Sequence, residues 1–249
     1  MTKALKKKAL KKKAYGVVGT EGVLAVADPA AIAMTLPRRA IRALSVPTRA
    51  RLELQFFPAG PWDLVAEPFG IHRYVREIFV DGVAVRDSEQ YRDMSARVSD
   101  RRAKGSVWGC RTVADVDRYF HQLLEMYEDM RCHGYRPHTD LGTSPHEEVK
   151  VHVGRGGDLI KASGGNHRVS FAKLLELPSI PVLVRGLHRD YLRRFRGPPG
   201  VSTATAAMRA LEAAGLGDWR HADVQRVAGR PSPTKALRRR MDARRESSG

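Results

Sequence analysis

Cysteine is nearly missing from these 249 residues. Only Cys110 and Cys132 occur, in no metal-type spacing, which argues against a disulfide framework or a cysteine-rich zinc site. Long apolar runs are missing too. No stretch approaches the ~20 residues that cross a bilayer, so no membrane span is expected. Residues 23–33 come nearest, and Glu21, Asp28 and Pro29 spoil them as the apolar part of a secretory signal. No repeat stands out at the periods of solenoid proteins. What remains is a chain read as cytoplasmic, long enough for one good core with extensions or for two small domains.

Positive charge is in excess. The 44 Lys and Arg against 27 Asp and Glu give a formal net charge of +17, which favours anionic partners. Much of it is terminal. Lys3, Lys6, Lys7, Lys8, Lys11, Lys12 and Lys13 crowd one end, and Arg238, Arg239, Arg240, Arg244 and Arg245 the other. Such runs read either as solvated tails or as arms that hold DNA or RNA by neutralising phosphates.

Patterning divides the chain into a basic disordered arm (1–14), an α+β domain (15–196) with a helical insertion at about 62–134, and a C-terminal part (197–249). That last part reads as a linker, an Ala-rich helix and a basic tail. A strand or hairpin is predicted over 17–27, an alternating strand over 52–56, and a helix over 69–80. Over 112–133, Val113, Val116, Phe120, Leu123, Tyr127 and Met130 recur at helical steps as a core-packing stripe. Thr112 with Asp115 resembles a capping box. Val149, Val151 and Val153 alternate with Lys150 and His152, a strand with one buried face. Residues 159–162 return as its hairpin partner. A helix over 169–177 and a buried strand over 180–184 complete a compact α+β unit.

Between hairpin and helix lies Gly164-Gly165-Asn166-His167-Arg168. Two glycines admit close backbone approach to a ligand, and Asn166 is a good N-cap. A helix starting there aims N–H groups and its positive dipole end at one point. His167 and Arg168 add donors, and Arg suits bidentate contact with phosphate. The same residues also suit any strand-to-helix turn. The functional expectation is an anion site, for phosphate above all.

Residues 149–188 resemble the ParB/sulfiredoxin superfamily in their strand hairpin, Gly-x-His-Arg-like turn, helix and Ile180-Pro181-Val182 strand. Asp28-Pro29-Ala30-Ala31-Ile32 is similar to an element that often opens ParB-type domains. Pro61-Trp62-Asp63, Trp108-Gly109-Cys110 and His133-Gly134-Tyr135 extend the resemblance to a group of prokaryotic ParB-like proteins. It implies a small mixed sheet with flanking helices. It also implies a nucleoside triphosphate or diphosphate with Mg²⁺, its phosphates cradled by Gly165, Asn166, His167 and Arg168. The chemistry in that superfamily is hydrolysis, phosphoryl transfer to serine, or sulfinate activation. Asn166 stands where sulfiredoxin-type enzymes carry their reactive cysteine, which disfavours sulfinate repair. The longer ParB nucleotide motif is not matched, which puts a clamp-type CTPase in doubt.

Phosphoryl transfer needs charge neutralisation, an in-line acceptor and usually Mg²⁺ held by carboxylates. Glu147 and Glu148 precede the Val149 strand, as a base or metal ligand or simply as an exposed strand start. Lys161 reaches toward a phosphate or lies as a solvated strand residue. His188 closes over the phosphate or caps its strand. The catalytic candidates are Glu147, Glu148 and His167. The phosphate or nucleotide contacts are Lys161, Gly164, Gly165, Asn166, His167, Arg168 and His188. No metal site is assigned, because the histidines lack zinc-hydrolase spacing. Two classes of function follow. One is a nucleotide- or phosphate-binding ParB-like protein, a kinase or NTPase if catalytic. The other is a DNA- or RNA-binding accessory protein whose basic termini supply affinity, with the core as scaffold.

Overall fold

The computed structural model describes residues 16–18, 22–37, 59–100, 106–162, 164–197, 199 and 201–217. The arm read over 1–14, the strand over 52–56 and the basic tail lie outside them. The fold is α+β. Its strands are β1 (Gly16–Val18), β2 (Gly22–Ala27), β3 (Met34–Thr35), β4 (Glu67–Pro68), β5 (Val149–Val153), β6 (Leu159–Lys161) and β7 (Ile180–Leu187). They form one mixed sheet in the order β1-β2-β7-β5-β6-β3-β4. The pairs β7–β5 and β6–β3 are parallel and the others antiparallel. A short hairpin can join β5 to β6, but β7 runs parallel to β5 and needs a crossover. Helix α4 (Asn166–Leu174) lies in that crossover.

The valine alternation forms the core as expected. Val149, Val151 and Val153 are fully buried, paired in register with Val182, Val184 and Leu187. Val169, Phe171 and Ala172 of α4 are fully buried as well. The opposite face of β5 is solvated only at Lys150, which is half-buried, contrary to the one-sided reading. His152 is 8% exposed and tilts against Trp62 at 5.4 Å between ring centroids. β5 is an inner strand, and a short helical turn at Trp62–Val65 covers its second face together with Leu36 and Ile160.

The described residues divide into two compact units. One holds the sheet, α4, α5 (Arg189–Arg193) and α6 (Thr203–Ala213). The other, residues 71–134, holds α1 (Arg73–Phe79), α2 (Glu89–Ser99) and α3 (Val113–His133). The insertion read from about 62 therefore starts later. Residues 62–70 belong with the sheet, where β4 pairs β3 and Trp62 packs beside Ile160. In α3 the capping box is present: Asp115 N–H donates to Thr112 Oγ1 and Thr112 N–H to Asp115 Oδ2, both at 3.1 Å. Its buried stripe starts at Val116, leaving Val113 exposed at the first turn. No helix among the described residues is long and apolar enough to cross a membrane.

Candidate functional site

The glycine turn leads into α4 with both Gly164 (φ +79°) and Gly165 (φ +67°) in the left-handed region. The N-cap is Gly165, not Asn166, which is the first helical residue; the cap makes no side-chain hydrogen bond. Packing explains the difference. A Cβ on Gly165 would lie 2.8 Å from Val149 Cγ2 and 3.1 Å from Val149 Cα, so the turn rests directly on β5 and only glycine fits. The first intrahelical bond runs from Val169 N–H to Gly165 O at 3.0 Å. The amides of residues 166–168 therefore lie ahead of the helical ladder, at the positive end of the helix dipole.

Arg168 does not face outward. It is 8% exposed, and its guanidinium lies 4.5 Å from the centre of the Tyr135 ring. It donates to Tyr135 Oη (3.1 Å) and to the Arg136 carbonyl (3.0 Å), and stands 3.7 Å from Glu148 Oε2. Tyr135 Oη in turn donates to Glu148 Oε2 at 2.8 Å. The other oxygen of Glu148 accepts the backbone N–H of His138. Arg168 is thus a clamp that ties α4 to the chain around 135–138. One hydrogen on each terminal nitrogen is used inside the protein and the side chain is 8% exposed, so Arg168 does not present its fork outward beside the turn as expected.

Glu148 is 1% exposed, so the pair Glu147-Glu148 is only half an exposed strand start. Burial raises the Glu148 pKa, against the opposing pull of the His138 amide, the Tyr135 hydroxyl and the Arg168 charge. With the His138 amide and the Tyr135 hydroxyl donating to its oxygens and the Arg168 charge 3.7 Å away, it serves the clamp. Glu147 is exposed, 3.6 Å from His138 Nδ1. His167 is half-buried in the first turn of α4.

Lys161 is 2% exposed rather than solvated. It pairs with Val151 across the sheet, on the face where α4 packs. Nζ donates to the Ala162 carbonyl at 2.9 Å and lies 5.5 Å from the centre of the Phe69 ring, which also receives Lys173 at 4.9 Å. Burial, with the nearby Lys150 charge, brings its pKa down to about 8. Among the described residues neither Lys150 nor Lys161 pairs with a carboxylate.

His188 belongs to the opposite end of the sheet. Gly165 touches Val149 at the start of β5, whereas His188 follows Leu187, the partner of Val153 at its end. Four residues of strand separate the two by about 13 Å. His188 Nδ1 accepts from the Asp190 amide (3.1 Å), so Nε2 carries the ring proton and donates to the Gly60 carbonyl (2.9 Å). His188 therefore caps α5 and pins the turn that carries Trp62, 5.4 Å away between ring centroids. It does not close over the glycine turn.

The structure thus brings together Gly164, Gly165, Asn166, His167, Arg168, Lys161, Glu147 and Glu148, and sets His188 apart. Sequence reasoning missed Tyr135, His138 and Thr143. The one available signal was the His133-Gly134-Tyr135 motif, which was noted without a role. Among the described residues no group of three or more His, Cys, Asp or Glu is arranged to hold a metal ion. Comparison with protein-family models, with curated proteins and with solved structures returns no match.

Proposed function

We propose that the protein binds a phosphate-bearing ligand at the N-terminus of α4 and, in the manner of ParB/sulfiredoxin-like proteins, transfers or hydrolyses a phosphoryl group. The ligand is a nucleoside triphosphate or diphosphate, or a phosphorylated small molecule. The observation that carries this reading is a buried ammonium without a carboxylate partner on the face of the sheet where α4 packs. A buried ammonium at Lys161 with no carboxylate partner is costly unless an anion compensates it. The α4 N-terminus adds its dipole on the same face of the sheet. Arg168 contributes indirectly, by fixing α4 against Tyr135 and Glu148. Mg²⁺ would arrive on the ligand's own phosphates.

Thermal-shift titration of the full chain with ATP, CTP, GTP, ADP and inorganic phosphate, each with Mg²⁺, tests it. At least one nucleotide should raise Tm, and by linkage a ligand at ~100 times its Kd adds about 2.7 kcal/mol. His167→Ala should weaken the effect. If no anion moves Tm, the reading is lost.

The second reading, DNA or RNA binding through the termini, rests on the net charge of +17. It predicts a gel shift that weakens steeply with salt and disappears when residues 1–14 and 232–249 are removed. A shift that survives both deletions removes the termini from the account.

A further inference from the structure

His138 is oriented like a working base. Its ring is 16% exposed, and three contacts fix which nitrogen holds the proton. Thr143 Oγ1 donates its single hydrogen to the His138 carbonyl at 3.0 Å. The same oxygen lies 2.8 Å from His138 Nδ1; with the hydroxyl hydrogen on the carbonyl, this contact is made by an Nδ1–H that donates to Thr143. The Glu147 carboxylate, 3.6 Å from Nδ1, is an acceptor only and favours that same arrangement. Nε2 then holds the lone pair, and no group among the described residues hydrogen-bonds to it.

The surroundings keep that lone pair available. Burial lowers the His138 pKa, the Arg168 charge lowers it further and Lys150 adds to this, with Glu147 pulling the other way. The position is tied to the glycine-turn helix, since the His138 amide donates to Glu148, which joins Tyr135 and Arg168 of α4. An imidazole held neutral, with one nitrogen anchored by a hydroxyl and a carboxylate and the other open, is the arrangement that general-base catalysis requires.

We infer that His138 is the catalytic base of the phosphoryl transfer proposed above, with Nε2 the accepting atom and Thr143 and Glu147 as positioning residues. The inference rests on that reading of the α4 site. In the step, Nε2 takes the proton of the attacking water or hydroxyl while its oxygen bonds to phosphorus. The bond from phosphorus to the leaving oxygen breaks, and its electron pair departs with that oxygen. The imidazolium then returns its proton to the leaving group or to solvent.

Two measurements on the full chain decide it. Long-range ¹H–¹⁵N correlation on histidine-labelled protein, with His138→Gln to assign the signal, should show the Nδ1–H tautomer. An Nε2–H tautomer overturns the inference whatever ligand binds. Phosphate release from Mg²⁺-ATP, CTP and GTP is then compared between parent and His138→Gln. The variant should lose about 10²- to 10⁴-fold in turnover while keeping the nucleotide-induced rise in Tm. Glu147→Gln and Thr143→Val should move the acid limb of the rate profile, which in the parent falls below the ordinary histidine value. Unchanged turnover in His138→Gln overturns the base and leaves nucleotide binding standing. Absence of any nucleotide effect on Tm removes both.

Discussion

A buried polar cluster sits at each end of β5, and the two are built on different charge balances. At the His188 end, Asp63 takes the backbone N–H of Arg155 at 2.8 Å and a two-nitrogen grip from its guanidinium at 2.8–3.0 Å. His188 spends both ring nitrogens on backbone groups. Arg155 holds the Asp63 carboxyl below its usual value even though burial pushes it upward. At the Tyr135 end, one carboxylate, Glu148, faces Arg168 while Lys150 and Lys161 lack a carboxylate partner among the described residues. A closed cluster stabilises a loop; an open one leaves charge for a ligand. That contrast is why the proposed ligand is put at the α4 end, although both ends contain the histidine, arginine and carboxylate that sequence reading treats alike.

The largest expected effect is at Glu148. Glu148→Ala strands a buried guanidinium, a phenol and a backbone N–H together, and should cost about 3–5 kcal/mol in urea unfolding. Asp63→Ala should cost less, because the Arg155 side chain is 38% exposed and can turn to water. Equal losses would erase the distinction between the two ends.

Next comes acid lability from His152, which burial holds at a pKa of about 4 against 6.5 for an ordinary histidine. The unfolded chain takes up the proton first. Stability is therefore complete above pH 6.5 and declines as pH falls toward 4, by on the order of 3 kcal/mol. His152→Leu should flatten that window in a pH series of unfolding curves. A window that persists unchanged belongs to another group.

Lys161 supplies the third test, with the same sign in a more alkaline window. Its folded pKa of about 8 lies below the ordinary 10.5, so the stability tied to its neutral form is complete above 10.5 and lost as pH falls through 8. At pH 7 the fold carries a buried ammonium. Lys161→Met should therefore stabilise by roughly 2 kcal/mol. If the site binds phosphate, the same variant should show a smaller nucleotide-induced rise in Tm. Stabilisation with undiminished binding would make Lys161 a bystander.

Elements whose signal is local were legible in the sequence. The α3 capping box, the β5–β6 hairpin, α4 and β7 all rest on periodicity or capping within a few residues. The clamp was not, because Arg168 meets Tyr135 across 33 positions, and no spacing rule links them. The burial of Lys161 was hidden for a related reason. Its cover comes partly from Phe69 beside β4, and strands of two residues such as β3 and β4 are too short to show alternation. The cap was misplaced because Asn166 has the better side chain, whereas the position is decided by contact with Val149. Asp63 and His188 were visible as residues but not as partners. Their shared place depends on which end of β5 each one reaches.

The smallest effects separate the two glycines of the turn. Gly165→Ala meets both a positive φ and a Cβ only 2.8 Å from Val149, so α4 must shift on the sheet and the loss should exceed 1 kcal/mol. Gly164 also has a positive φ, but a Cβ there meets nothing within 4 Å. Asn tolerates the left-handed region, so Gly164→Asn should cost only about 0.5 kcal/mol, measured as a small drop in Tm. The functional consequence runs the other way. A side chain at Gly164 projects into open space beside the α4 N-terminus, where the proposed phosphate would lie. Gly164→Asn should therefore weaken nucleotide stabilisation while barely touching the fold. Full nucleotide response in that variant would move the ligand away from this turn.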